Sequence, residues 1–276
     1  MKKKNPKISV IMSVFNNEEY VQESIESVLN QTFNDFEFVI VNDGSTDKTG
    51  EILTKYVNNP RVKIIENAEN IGLTKSLNRA LKVAQGEYVA RQDADDVSLP
   101  ERFKKQVEFL NDNPEIKVLG TFAYGINNRG EVLKELIAPV SSEAIKKNLI
   151  KNNSFIHPSV MIKKDILDKV GLYNEEFETT QDYELWFRIL KVAKGANLPL
   201  FLIKKRYTPE MASLQKEKTQ LRNTLFLQNQ AIKKGDYSIF CYIYLLRPYF
   251  SLICPMPVKN FLRYNFLKSK NVFKKI

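Results

Sequence analysis

The feature that most constrains this chain is an alternation. Over the first 120 residues, short β-rich runs take turns with stretches whose apolar residues recur at helical spacing. "KISVIMSVF" reads as a buried strand, and Val21, Ile25, Val28 and Leu29 follow at helical intervals. "FEFVIVND" is a second strand, with a helix after it through Ile52, Leu53, Tyr56 and Val57. "RVKIIEN" is a third, leading to the helix "LTKSLNRALKVAQG", which the pattern ends at Gly86. "EYVARQ" is a fourth strand. The helix after it runs through Phe103, Val107 and Leu110, with Ser98 and Glu101 as a capping box and Pro100 in the first turn. Such alternation predicts an α/β fold with a mostly parallel central sheet, right-handed crossovers and flanking helices. Ligands on such sheets sit beyond the carboxyl ends of the strands. Three polar clusters, "FNNEE", "NDGSTD" and "QDADD", fall at those ends.

The second half is less regular. "KVLGTFAYGI", "EVLKELI" and "LPLFLIKKRY" read as strands, and residues 141–151 as a helix. "SFIHPSVMIKKDIL" reads as a strand entering a helix, and "TTQDYELWFRILKVA" as a strongly amphipathic helix. Residues 209–234 read as a long polar helix. The expected organisation is one domain in two halves, 1–120 and 121–208, with a helical, apolar and basic extension over 209–276. There is no internal repeat and no low-complexity linker.

Composition removes several function classes. A single histidine, His157, argues against zinc and multi-histidine iron sites, so a metal here would need mainly oxygen ligands. The two cysteines and the absence of a secretory signal core at the start point to a reducing, cytoplasmic setting. Of the net charge of +10, seven positive residues and no acid lie in residues 237–276. There the apolar stretch "YSIFCYIYLLRPYFSLICPMPV" is interrupted by Arg247 and Pro248, and a spanning helix needs ~20 uninterrupted apolar residues. Two readings stand. Short helices lie on an anionic membrane surface at the inner face of the cell membrane, or they pack on the domain's own core. No basic helix or finger accompanies the charge, so no nucleic-acid partner is expected.

The densest polar cluster places Asp93, Asp95 and Asp96 within four positions. Carboxylates this close repel, which raises a pKa unless a cation intervenes. Mg2+ or Mn2+ suits such hard oxygen ligands and leaves positions for substrate phosphates, which fits a nucleoside diphosphate site. A lone D-x-D also occurs in solvated turns. Neither G-x-G-x-x-G nor G-x-x-x-x-G-K-[ST] is present, which argues against dinucleotide dehydrogenases and P-loop enzymes. "DADDV" fits the D-x-D-x-[TV] of haloacid-dehalogenase-like phosphatases, but it follows the fourth strand rather than the first. A nucleotidyltransferase would carry a Gly-rich, basic loop after the first strand, where this chain has "NNEEY".

Four ordered segments carry a resemblance that covers residues 6–208. They are "SVIMSVFNNEEYVQESIESVLNQTFNDFEFVIVNDGSTDKT", "NIGLTKSLNRAL", "GEYVARQDADDVSLPERFKKQ" and "TTQDYELWFRI". Together the chain resembles a bacterial family 2 glycosyltransferase with a GT-A (Rossmann-like) fold. The resemblance implies an inverting, metal-dependent transfer from a nucleotide-sugar donor, a UDP-sugar, to a hydroxyl of a saccharide or polyprenyl-diphosphate-linked saccharide acceptor in surface polysaccharide synthesis. It implies that Asp43 holds the nucleobase, that Asn16 lies near the nucleoside and that Asp93 lies near the ribose and the metal. Asp95 would bind Mn2+ or Mg2+, and Asp182 would be the general base. A plain alternative for Asp43 is a turn residue before a Ser45 N-cap.

Other roles stay open. Arg91 would neutralise the acidic cluster or the diphosphate, or form an ion pair. His157 would face diphosphate or acceptor, or be a satisfied core residue. Trp186 would be core or acceptor-pocket wall, and Asp96 has no assigned role. The family's Tyr-Arg-x-His segment reads Lys205, Arg206, Tyr207, Thr208 here, so Arg206 matches and the histidine is replaced. The residue before the base, often Glu, is Gln181. The rival readings are a nucleotidyltransferase of similar fold and a non-catalytic membrane or nucleic-acid binding protein.

Overall fold

The structure is a computed structural model that describes residues 5–208 and 216–254. Nine strands form one sheet: β1 Ile8–Val14, β2 Phe36–Asn42, β3 Val62–Glu66, β4 Tyr88–Arg91, β5 Val97–Ser98, β6 Ile116–Ile126, β7 Val132–Leu136, β8 Met161–Lys163 and β9 Lys194–Arg206. The helices are α1 Val21–Leu29, α2 Thr49–Thr54, α3 Leu73–Val83, α4 Arg102–Asp112, α5 Ser142–Leu149, α6 Lys164–Val170, α7 Gln181–Val192, α8 Glu217–Lys233 and α9 Leu246–Ile253. Two 3-10 segments, His157–Ser159 and Ile239–Leu245, complete the described elements.

The strand order is β3-β2-β1-β4-β8-β6-β9-β5, with β7 hydrogen-bonded to β6. β1 to β4 are mutually parallel, β6 and β9 run in the same sense, and β5, β7 and β8 are reversed. The sheet is therefore mostly parallel, as the alternation requires. β6 and the β4–β8 ladder carry it across residue 120 without a break, so the two halves share one sheet.

Every residue of β1 is buried. Its alternate side chains serve opposite faces, as the period of two dictates. Ile8, Val10, Met12 and Val14 meet Ile25, Val28, Phe103 and Leu110 of α1 and α4. Ile11 meets Leu77 and Leu81 of α3 and Leu185, Trp186 and Ile189 of α7 on the other side. Two helix layers thus bury β1 and β2, whereas β7 lies exposed along its length.

Three local expectations fail for identifiable reasons. Ser98 does not cap α4. It lies in β5 and its hydroxyl bonds Gln92 and Arg102, which leaves Glu101 as an N-cap without a side-chain bond. Gly86 is not a left-handed helix terminator; a Cβ there would meet Ser9 N at 2.4 Å, so glycine serves the close passage of the chain over β1. Ser45 is not an N-cap, since α2 begins at Thr49; its Oγ accepts from Asn16 N at 3.1 Å.

The C-terminal extension divides its apolar residues. Tyr237, Cys241, Tyr244 and Leu245 pack against Ile150, Ala231 and Ile232. Ile239, Phe240, Ile243, Leu246, Phe250 and Ile253 face outward, each more than half exposed. No helix of the described residues is long and apolar enough to cross a membrane. The basic residues after 254, and the start of the polar helix at 209–215, lie outside the described residues.

Candidate active site

The acidic loop is built as a closed turn between β4 and β5. Gln92, fully buried, donates from Nε2 to Asp96 O at 2.8 Å and to Ser24 Oγ at 3.0 Å. Its Oε1 accepts from Ser98 Oγ at 2.7 Å and from Arg102 at 3.1 Å. Ser24 Oγ in turn donates to Asp93 O at 2.8 Å. Held this way, Asp93, Asp95 and Asp96 bring carboxylate oxygens within 4.8 Å of one another.

Their surroundings split the three acids. Burial opposes the charge on Asp93, but Arg91 Nη2 pairs with its Oδ1 and wins, so its pKa lies below the ordinary range. Asp95 is pushed up to about 6 by burial and by the Asp93 charge. Asp96 is raised well above the ordinary value by burial and by both neighbours. Asp96 Oδ1 accepts from Arg206 N at 2.8 Å, whereas its Oδ2 is buried with no partner among the described residues. An all-oxygen donor set with a surplus of negative charge and an orphan carboxylate oxygen fits a divalent cation. Asp93 and Asp95 are the residues that would hold it.

Arg102 has no counterpart in the sequence reading. It is fully buried and makes no ion pair among the described residues; its guanidinium donates to Gln92, Ser98 and Gln106 and to Arg91 O and Val160 O. Burial depresses its pKa to about 9, against the pull of Asp96. It lies behind the acidic turn as a fixed positive charge. Its position just after the turn, at the start of an amphipathic helix, resembled a solvated first-turn residue.

At the second strand end, Asp43 is buried and accepts three hydrogen bonds. Asn67 Nδ2 donates to Oδ1 at 2.7 Å, Ile71 N to Oδ1 at 2.9 Å and Gly72 N to Oδ2 at 3.0 Å. The carboxylate therefore clasps the 67–72 segment that leads into α3, a partner invisible to local pattern. Gly44, with φ +70°, permits this approach; a Cβ there would meet Glu69 C at 2.5 Å. Asn16, with φ 45°, accepts from Thr46 N at 2.8 Å and ties the first strand-end loop to the second.

The third component comes from α7. Thr180 enters this helix in the left-handed region, φ 65°, and the next turn carries Asp182. Asn153 Nδ2 donates to Asp182 Oδ2 at 2.6 Å. Asp182 and Asn153 line two cavities at once. One, of about 460 Å³, also touches Phe155, His157, Lys205 and Tyr207. The other, of about 450 Å³, is bounded by Lys151, Tyr183, Gln220, Leu221 and Arg247, so α8 and α9 form one wall. Trp186 is fully buried beneath Phe155, with ring centroids 5.1 Å apart. It supports the cavity lining from the core.

His157 Nε2 lies 2.9 Å from Tyr173 Oη. Burial lowers its pKa to about 4, although Asp182 pulls the other way, so the ring is neutral at neutral pH. Arg206 is 2 % exposed and directs its guanidinium away from the cavities. It bonds Asp95 O, Asn127 O and Asn128 O, pairs with Glu23 Oε2 at 2.6 Å and stacks on Tyr20 at 4.3 Å. This residue fixes the acidic turn in place. Lys205, its neighbour, lines the 460 Å³ cavity, and sequence reasoning did not single it out. Its signal, one lysine in "IKKRY", is indistinguishable from a solvated strand residue.

His157, Tyr173 and Lys205 each lie within Coulombic range of both Asp182 and Asp93. A carboxylate on α7 and an acidic cluster after β4 thus share three polar neighbours. The chain is similar to known proteins. A Methanocaldococcus jannaschii "uncharacterized glycosyltransferase" is 39 % identical over 67 % of this chain and 65 % of its own length. The amylovoran biosynthesis glycosyltransferase AmsE of Erwinia amylovora is 31 % identical over 92 % of this chain and 97 % of its own. Among solved structures, S. aureus TarS 1–349 in complex with UDP aligns with a TM-score of 0.70 at 24 % identity, over 92 % of this chain and 77 % of that one. The mannosyltransferase PcManGT of Pyrobaculum calidifontis, with GDP-Man and Mn2+, aligns with a TM-score of 0.65 at 16 % identity, over 96 % of this chain and 81 % of that one. These two share the GT-A fold. The profile of the glycosyl transferase family 2 domain matches residues 9–171, which span all three of the strand-end clusters, and the chain is therefore a glycosyltransferase belonging to family 2.

Proposed function

We propose that this enzyme moves a sugar from a nucleoside diphosphate donor, a UDP-sugar, to a hydroxyl of a saccharide or lipid-linked saccharide acceptor, with inversion. The observation that carries the reading is that Lys205 and His157, which line the 460 Å³ cavity with Asp182, lie within Coulombic range of both Asp182 and Asp93 of the acidic cluster. Asp182 accepts the proton of the acceptor hydroxyl as that oxygen bonds to the anomeric carbon. The bond from that carbon to the diphosphate oxygen breaks, and the electron pair leaves with the nucleoside diphosphate. One base on the attacking side makes this a single displacement. Asp93 and Asp95 would hold a divalent cation, which would supply positive charge to the leaving diphosphate. Asn153 orients the Asp182 carboxylate through its 2.6 Å bond. The Asp43 clasp shapes the base pocket; its Oδ2 has only the Gly72 bond and retains capacity to accept from a pyrimidine N3–H.

The acceptor belongs in the 450 Å³ cavity beyond Asp182, which the C-terminal extension closes. The outward apolar row from Ile239 to Ile253, with Arg247 beside it, suits an anionic membrane surface on which a lipid-linked acceptor would be presented. Co-sedimentation with anionic vesicles checks this: loss of binding in the F240S/I243S/F250S triple variant supports it, and unchanged binding overturns it.

The central test is D182N. Sugar transfer should fall by about 10²- to 10⁴-fold, while donor affinity by calorimetry stays as in the wild type. Retained transfer would remove Asp182 from the reaction. Release of pyrophosphate instead of nucleoside diphosphate would favour a nucleotidyltransferase.

A further inference from the structure

Among the described residues, four cationic side chains surround the acidic turn, and three are already engaged. Arg91 is paired with Asp93. Arg102 is fully buried on neutral acceptors. Arg206 is held by Glu23, Tyr20 and three carbonyls. Lys205 differs from all of these. Among the described residues it has no hydrogen bond or ion pair, yet it lines the same cavity as Asp182 and His157. It also lies within Coulombic range of Asp96, Asp93 and Asp182.

The strand explains how neighbours take such different tasks. In β9, successive side chains point to opposite faces. Arg206 is directed towards Glu23 and the acidic turn's backbone, so Lys205 is turned into the cleft. Burial disfavours its ammonium charge, but Asp96 and Asp93 outweigh burial and hold it above its ordinary value. A charged ammonium without a fixed partner among the described residues, within Coulombic range of both the acidic cluster and Asp182, is placed to donate to an anionic substrate group.

We propose that Lys205 is a catalytic residue whose Nζ donates to the distal phosphate of the bound nucleoside diphosphate, taking up charge as the sugar bond breaks. The inference rests on the nucleotide-sugar reading above. As the anomeric carbon–oxygen bond breaks, the electron pair and the new negative charge settle on that phosphate's oxygen. Arg91, Arg102 and Arg206 are committed elsewhere, so among the described cations around the turn Lys205 is the one able to meet it. A preorganised donor aimed at developing charge typically contributes about 10²- to 10³-fold to kcat.

The test uses binding as well as turnover. The Mn2+-loaded protein is titrated calorimetrically with the diphosphate and monophosphate of whichever nucleoside, uridine or guanosine, the wild type binds. K205M should weaken diphosphate affinity by about 10- to 100-fold, leave the monophosphate unchanged and lower kcat more than it raises donor KM. K205R, which keeps the charge, should recover most of the diphosphate preference and confirms that the site tolerates substitution. Equal loss for both nucleotides, or loss for neither, overturns the role of Lys205 while the donor reading stands. A wild type that binds no nucleotide would overturn the donor reading, and this proposal with it.

Discussion

Replacing Asp95 with Asn should make the metal-free enzyme more stable at neutral pH. A carboxyl that titrates near 6 in the folded chain and near 3.8 in the unfolded one is held protonated longer by the fold. Between those values the native state binds more protons, so its stability falls as pH rises. At about 1.36 kcal/mol per pH unit of separation, the charged Asp95 costs about 3 kcal/mol once the pH is above 6. D95N removes that cost, and it also relieves Asp96, which Asp95 pushes up. In EDTA, the variant should melt roughly 6 to 12 °C above wild type at neutral pH, and the gap should close by pH 4. His157 works in the opposite sense. Its folded pKa of about 4, below the ordinary 6.5, gives stability that is lost as pH falls through that window. That slope is present in both proteins and cancels in their difference. Mn2+ at about 1,000 times Kd should reverse the order, because binding there adds ~4.1 kcal/mol to the wild type, more than the cost that D95N removes. A variant no more stable than wild type in EDTA, or a gap that persists at pH 4, would refute the electrostatic account of the cluster.

Three further outcomes follow from the geometry. D43N should lose about 2–4 kcal/mol, because an amide cannot accept all three bonds from Asn67, Ile71 and Gly72, and nucleotide affinity should fall with it; urea unfolding and calorimetry measure both. R102M should cost about 3–5 kcal/mol by leaving Gln92, Ser98 and two carbonyls without their donor, and a larger loss than in R102K would identify the fork of bonds as the cause. H157Q should leave the shape of the pH–rate profile unchanged above pH 5, since burial already keeps His157 neutral there; a limb near 6.5 that disappears in the variant would contradict this.

Sequence alone determined the architecture of the first half and the location of the site. Runs such as "ISVIMSV" and "FEFVIVN" can be buried on both faces only in a helix-covered parallel sheet, and such a sheet leaves one set of strand ends open. Asp43, Asp93, Asp95 and Asn16 were therefore legible as residues at one edge of the sheet, beyond the ends of the parallel strands β1, β2 and β4. Asp182 was legible through its helix and the ordered motifs.

Tertiary structure decided which charges are free. Arg91, Arg102, Lys205 and Arg206 are equivalent in a string of letters, since a guanidinium or ammonium says nothing of its partner. Only the fold brings Glu23 and the carbonyls of residues 127–128 to Arg206 and hides Arg102 behind the acidic turn. It also turns Ser98 from a helix cap into a ligand of Arg102, because a buried guanidinium needs that oxygen more than an exposed helix end does. These contacts join residues 4 to 183 positions apart, most of them beyond the reach of helical or strand periodicity. The same long-range closure leaves Lys205 facing the cleft and Asp96 Oδ2 without a partner. The sequence could place the acids at one edge; the folded chain sorted the cations around them.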